Sequence, residues 1–262
     1  MSRSRALAFN IAFFAVTALL GVAALPLLLA PRRWVMRFGR FWARCVLGLL
    51  KTIVGLDGEI RGLEHIPPGP CIIAMKHQSA WDTLIMPVVL GDPAVVLKRE
   101  LLWVPFYGWY AARAGSIAID RRGGAGALRR MVAAARQAAA SGRKIVIFPE
   151  GTRTAPGQRL AYQPGVAALY QALDVPLVPA AVNSGLFWGR RSFVKRPGGI
   201  ILAFLEPIPP GLSRRQVMPE LEARIEAATA ALELEAADRQ GAGARGEGNQ
   251  SSSPLPRICS SE

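Results

Sequence analysis

The sequence predicts an α/β layered sheet with flanking helices, preceded by an N-terminal pair of membrane-associated helices. Three observations predict it. Between about residues 57 and 210, short runs rich in Ile and Val alternate with helical stretches, the pattern of strands layered on helices. Residues 6–30 carry no charge, with Asn10 and Thr17 as their only clearly polar side chains. Directly after them comes a stretch that mixes arginines with aromatic residues.

The uncharged run is 25 residues long. At about 1.5 Å per residue a helix of that length reaches roughly 37 Å, against a hydrocarbon core of about 30 Å. Pro26 is expected to kink or shorten it. A cleaved signal peptide usually has a shorter apolar core, and the arginines that follow here resist export. In the second helix Arg32, Arg33, Arg37, Arg40 and Arg44 alternate with Trp34, Val35, Phe38, Phe41, Trp42, Val46 and Leu47. These spacings give one apolar and one basic face, suited to a lipid headgroup boundary. Residues 1–56 are therefore expected to anchor the chain, and the positive flank places the remainder on the cytoplasmic side of the inner membrane. Whether the first helix spans the bilayer or dips into it stays open.

Strands are expected at 70–75, 94–97, 116–119, 144–148, 177–182 and 199–205, with helices at 83–90, 126–140 and 162–173. A charged amphipathic helix is expected at 213–237, with Leu221, Ile225 and Leu232 on one side. Residues 57–237 then form the globular domain. From Gly241 the sequence turns to Gly, Ser, Asn and Pro, so 238–262 reads as a disordered tail.

Composition narrows the function. Hydrophobic residues make up 51% and charged residues 19%, which excludes general disorder. Cys45, Cys71 and Cys259 are too scattered for a disulfide scaffold or a thiolate cage. His65 and His77 are the only histidines, so no multi-histidine metal site is possible, and no metal or cofactor is expected. The net charge is +14, with +11 concentrated in residues 121–200. Such a surface attracts anionic lipids, nucleic acids or phosphorylated small molecules. Nucleic acid is disfavoured because aromatics are not interleaved with the basic run and no nucleic-acid motif is present.

Two constellations carry chemistry. The first is Lys76-His77-Gln78-Ser79-Ala80-Trp81-Asp82, between an expected strand and an expected helix. Strand-to-helix turns at the carboxyl edge of a sheet commonly bind ligands. Ser79 and Asp82 could serve only to cap the helix. Alternatively, His77 is a general base whose far nitrogen is held by Asp82. No nucleophile elbow is present, so a substrate hydroxyl attacking an activated acyl group is the economical chemistry. The second constellation is Phe148-Pro149-Glu150-Gly151-Thr152-Arg153, at the end of another strand. Gly151 permits close backbone approach, and Arg153 offers a fork of donors suited to phosphate. A plain Pro-Glu-Gly turn is the alternative. His65 lies in a proline turn and is expected to have no catalytic duty.

These blocks, with Gly115-Ser116-Ile117-Ala118-Ile119-Asp120-Arg121 and Val175-Pro176-Leu177-Val178-Pro179, resemble those of the glycerolipid acyltransferases, specifically the 1-acyl-glycerol-3-phosphate acyltransferases. The resemblance covers roughly residues 55–210. Many members have Asn where this chain has Lys76. The resemblance implies a glycerolipid acyltransferase-like fold, with His77 as base and Asp82 as its partner. It implies Glu150 and Gly151 at the acceptor, Thr152 among the substrate-binding residues, and Lys98, Arg121 and Arg153 near the substrate phosphate. The implied reaction moves a fatty acyl group from acyl-CoA or acyl carrier protein to the sn-2 hydroxyl of lysophosphatidic acid, giving phosphatidic acid at an anionic membrane surface. A lyso-ornithine lipid acceptor, a thioesterase using water, or a non-catalytic basic membrane-binding protein are the rival readings.

Overall fold

The computed structural model describes residues 3–120 and 122–248. Two helices lead the chain, α1 (Arg3–Ala23) and α2 (Arg32–Leu49). The uncharged run does not stay α-helical to residue 30. It tightens into a 3-10 turn at Leu25–Leu28, where Pro26 has no N–H to continue the ladder. In α2, Val35, Met36, Ala43 and Val46 are buried, while Trp34 and Phe41 stay exposed. The apolar side chains of α2 are thus divided between the protein interior and the outside.

The globular part is the α/β layered sheet the sequence predicts. Its strands are β1 (Leu56–Arg61), β2 (Ile72–Met75), β3 (Ala94–Lys98), β4 (Ile117–Ile119), β5 (Ile145–Ile147), β6 (Leu177–Val182) and β7 (Gly198–Phe204), in the order β1-β7-β6-β2-β5-β3-β4. From β6 to β4 every neighbouring pair is parallel. β7 runs antiparallel to β6, and β1 pairs parallel with β7. The helices are α3 (Trp81–Leu90), α4 (Tyr107–Arg113), α5 (Gly124–Ala140), α6 (Pro164–Leu173) and α7 (Arg214–Gly248).

Side chains of one strand alternate between faces, and β2 uses both. Ile73 and Met75 pack with Val46, Leu50, Leu84 and Met86 on the side of α2 and α3. Ile72 and Ala74 pack with Met131, Val166, Leu169, Leu221 and Ile225 on the side of α5, α6 and α7. A strand buried on both faces reads as an unbroken apolar run, which explains why the central strands were legible and β1 was not. β1 is an edge strand, and its sequence Leu-Asp-Gly-Glu-Ile-Arg keeps three successive residues in solvent. The seven residues of α4 give too little periodicity to predict a helix from sequence.

α7 continues past the expected boundary at 237 to Gly248. Ala, Gln, Arg and Glu interspersed among the glycines of that stretch are good helix formers. Residues 249–262, part of the expected tail, lie outside the described residues, as does Arg121.

The topology places the site. Because β6, β2, β5, β3 and β4 share one direction, their carboxyl ends lie side by side on one edge. His77 follows β2, Glu150–Arg153 follow β5, Lys98 ends β3, and Ser184 follows β6.

Candidate active site

His77 and Asp82 meet as the spacing predicts. The His77 Nδ1 lies 2.9 Å from Asp82 Oδ2. A carboxylate can only accept, so Nδ1 carries the proton and Nε2 keeps its lone pair in the neutral ring. Asp82 is fully buried, and its remaining capacity is used. Oδ2 also accepts the backbone N–H groups of Gln78 at 2.7 Å and Ser79 at 2.8 Å, and Oδ1 accepts the Ser184 hydroxyl at 2.5 Å. A buried carboxylate with four donors is held in one orientation. The capping and chemical readings of this turn therefore coexist in one carboxylate. Ser79 contributes separately, its Oγ accepting Trp81 N–H at 3.2 Å. The imidazole stacks on Phe148, with ring centroids 4.0 Å apart.

The second block grips the first by its backbone. Thr154 donates to the His77 carbonyl from both its N–H, at 2.8 Å, and its hydroxyl, at 3.1 Å. Glu150 Oε2 accepts the His77 N–H at 3.3 Å. Both peptide groups of His77 are thus fixed by the loop after β5.

Glu150 departs from expectation. Its carboxylate does not line the large cavity at this edge but turns into the interior, where it is almost fully buried. There Lys76 Nζ lies 2.8 Å from Oε1, within ion-pair distance but without the alignment of a hydrogen bond. The same ammonium binds Glu226 of α7 at 2.7 and 2.9 Å and donates to the Gln158 carbonyl at 3.2 Å. Lys76 thus holds the Glu150 carboxylate in the interior. Burial pushes the Glu150 carboxyl above its ordinary value, and Lys76 partly offsets this. α7 reinforces the site a second time through Glu233, which accepts from Gln78 Nε2 at 2.8 Å and Gly157 N–H at 3.1 Å. None of this was legible from sequence, because Glu226 and Glu233 sit in a helix whose charged residues read as a solvated face.

The large cavity has a volume of about 640 Å³. His77, Gly151, Thr152, Arg153 and Lys98 all line it. Gly151 has φ of 68°, a left-handed conformation that glycine adopts without strain. Tyr107 also lines the cavity, close enough to Arg153 for the guanidinium to oppose the upward push of burial on its phenol. Arg190 and Arg191, which in the sequence belong only to the basic stretch, also line it. Leu128, Met131, Ile147 and Leu97 give the cavity an apolar half.

Not all basic residues of that stretch face outward. Arg143 is buried and spends its guanidinium on the carbonyls of Asp92, Pro93, Ala114 and Gly115. His65 serves the fold, with Nδ1 2.8 Å from the Phe204 carbonyl and Nε2 3.2 Å from Glu206. Among the described residues no cluster of three His, Cys, Asp or Glu side chains could hold a metal ion.

Residues 58–183 match the family model described as Acyltransferase. The 1-acyl-sn-glycerol-3-phosphate acyltransferase of Pseudomonas aeruginosa is 40% identical over 159 residues, which are 61% of this chain and 62% of that protein. The chain thus spans less than two thirds of that relative. The protein of the same name from Limnanthes alba is 30% identical over 200 residues, 74% of this chain and 71% of that protein. In fold, the chain matches the crystal structure of the 1-acyl-sn-glycerophosphate (LPA) acyltransferase, PlsC, from Thermotoga maritima. The TM-score is 0.74 over 88% of this chain and 98% of that one, at 21% identity.

Proposed function

The chain belongs to the 1-acyl-sn-glycerol-3-phosphate acyltransferase family, and on that premise we propose that it transfers a fatty acyl group from a thioester to the sn-2 hydroxyl of lysophosphatidic acid, giving phosphatidic acid. The observation that carries this reading is the His77–Asp82 pair opening on a cavity that is cationic on one part of its wall and apolar on another. His77 Nε2 takes the proton of the glycerol hydroxyl as it attacks the thioester carbonyl. Asp82 stabilises the imidazolium. The collapsing tetrahedral intermediate expels the thiolate, which takes a proton back from Nε2. Arg153 and Lys98 meet the acceptor phosphate, and the apolar half of the cavity receives an acyl chain.

The N-terminal helices are read as the anchor to the cytoplasmic face of the inner membrane. α1 is long and apolar enough to cross a bilayer, yet it is tied to the domain at Asn10 and Gly21 and to α2 at Thr17. Asn10 Nδ2 donates to the Phe193 carbonyl at 3.3 Å, Trp42 Nε1 to Thr17 Oγ1 at 3.1 Å, and Tyr110 to the Gly21 carbonyl at 2.7 Å. Ties spread from Asn10 to Gly21 favour a helix lying along the domain, with Leu7, Ile11, Phe14 and Leu19 turned out to lipid.

The test is a product assay. The full chain in micelles, given lysophosphatidic acid and acyl thioester, should yield phosphatidic acid on lipid extraction, and His77→Ala should lose on the order of a hundredfold to ten-thousandfold in rate. Free fatty acid as the sole product would mean a thioesterase. No turnover with lysophosphatidic acid, but acylation of another lysolipid, would move the acceptor class.

A further inference from the structure

We propose that Arg190 and Arg191 bind the phosphate of the donor's phosphopantetheine arm, as a group separate from the Arg153 and Lys98 that meet the acceptor phosphate. This rests on the acyl-transfer reading and adds a site to it.

The cavity cations come from two parts of the chain. Lys98 ends β3 and Arg153 follows β5, whereas Arg190 and Arg191 sit in the segment between β6 and β7, and all four line the same cavity as His77. Acyl transfer brings two substrates to one nitrogen, and each carries phosphate. The acceptor needs one cationic group for its phosphate monoester. The other group then matches the phosphate common to both donors, that of the phosphopantetheine arm, whether coenzyme A or acyl carrier protein presents it. Among the described residues the only carboxylate lining this cavity is Asp120, and it lies beyond β4, paired with Arg99 at 3.4 Å. No ion pair with a described carboxylate engages Arg190 or Arg191, whose side chains are exposed.

The loop bearing them is built rather than slack. Phe187 is buried against Gly198, and Arg196 N–H returns to the Phe187 carbonyl at 2.8 Å. Lys195, in the same loop, is buried and spends its ammonium on the loop's base. It donates to Asn10 Oδ1 at 2.6 Å and lies 5.1 Å from the ring centres of Phe9 and Trp188. Arg191 itself holds a φ of 56°, a conformation that costs a non-glycine residue energy and recurs at ligand-binding positions. A fixed base with two unneutralised guanidiniums at its tip suits a phosphate, which accepts forked, charge-assisted bonds.

The test uses the full chain in micelles of neutral detergent and the double variant Arg190→Ala/Arg191→Ala. Coenzyme A binding, measured without acceptor, should weaken by about tenfold or more, as expected for the loss of charge-assisted bonds. The KM for acyl-CoA and for S-acyl phosphopantetheine should rise similarly, that for S-acyl pantetheine, which lacks phosphate, much less, and that for lysophosphatidic acid little. Arg190→Lys/Arg191→Lys should recover part of the loss. A parallel loss with acyl carrier protein would show that the arm's phosphate is read whichever molecule presents it. A loss confined to acyl carrier protein would overturn the proposal in favour of a protein-docking surface. Unchanged coenzyme A binding, an equal loss with S-acyl pantetheine, or weaker vesicle binding alone would also overturn it. If the wild type makes no phosphatidic acid but its coenzyme A binding still depends on these arginines, the acceptor assignment fails and the donor site stands.

Discussion

Lys76→Met is the most informative single change behind the site. Lys76 is 1% exposed, and it is the only described cation within ion-pair distance of Glu150. Glu226 has one other, Arg159, at 3.8 Å from an exposed position. Removing the ammonium leaves two buried carboxylates on the same side of the loop, with Tyr162 donating to Glu226 at 3.0 Å. Breaking a buried ion pair by removing one partner costs about 3–5 kcal/mol. For a chain of this size that corresponds to a drop of roughly 6–20 °C in midpoint. Unfolding can be followed through the intrinsic fluorescence of the six tryptophans in detergent, over heat or denaturant. Lys76→Met/Glu226→Gln should recover a substantial part, because one of the two stranded charges is gone. Activity well below the midpoint should fall through kcat, since Glu150 holds the His77 N–H. A loss below about 1 kcal/mol, or a double variant no better than the single one, would refute the charge-compensation argument.

Four further outcomes are expected. Asp82→Asn should lower kcat on the order of a hundredfold or more, because an amide cannot accept from the imidazole, two backbone N–H groups and Ser184 together; steady-state kinetics with retained secondary structure by circular dichroism checks it. Arg153→Ala should impair acylation of lysophosphatidic acid far more than of a lysolipid lacking a phosphate monoester, and Arg153→Lys should rescue only part; an equal loss on both acceptors would make the arginine structural or donor-facing. Replacing Phe14 and Leu19 of α1, 66% and 71% exposed, by Gln should reduce sedimentation with vesicles without shifting the unfolding midpoint. Burial pushes Lys195 below the ordinary lysine value of 10.5, so the unfolded chain binds that proton more tightly. Its contribution to stability should therefore rise as pH climbs from the lowered value toward 10.5, and Lys195→Met should flatten that rise in pH-dependent unfolding.

What was legible in the sequence follows from where information is local. His77 and Asp82 are five residues apart across one turn, so their meeting is decided by the backbone they share. Central strands such as β2 and β6 are buried on both faces and announce themselves as apolar runs. Edge strand β1 carries the polar residues its exposure permits, and so resembles a loop. The inward turn of Glu150 depends on Lys76 from another strand and Glu226 from a helix 76 residues further on. Nothing in the local sequence around Glu150 encodes that partner. The same holds for Ser184, whose hydroxyl reaches Asp82 only because β6 pairs with β2.

The anchor and the cavity also share a segment, and this bears on how a lipid acceptor would arrive. The Gly21 end of α1 rests against the Phe106 ring and accepts from Tyr110, while Arg113 donates to the carbonyls of Leu28 and Ala30 at 2.9 and 2.5 Å. The stretch from 99 to 113 therefore carries the base of the helical pair. That stretch also exposes Trp103, Val104 and Trp109, and through Leu101 and Tyr107 it forms cavity wall. Tryptophan and tyrosine settle at headgroup depth, which is the depth of a lysolipid's phosphate. On the acyl-transfer reading, Lys98 and Arg153 line the same cavity as Tyr107 of this stretch and can meet that phosphate without lifting it from the interface. The acceptor's acyl chain then stays in contact with apolar surface throughout, so entry avoids the transfer cost of exposing a fatty chain to water, about 0.8 kcal/mol for each methylene. The donor's phosphate reaches the cavity on a soluble arm, so on the same reading its site can sit on the loop whose base is clamped to α1 through Lys195 and Asn10.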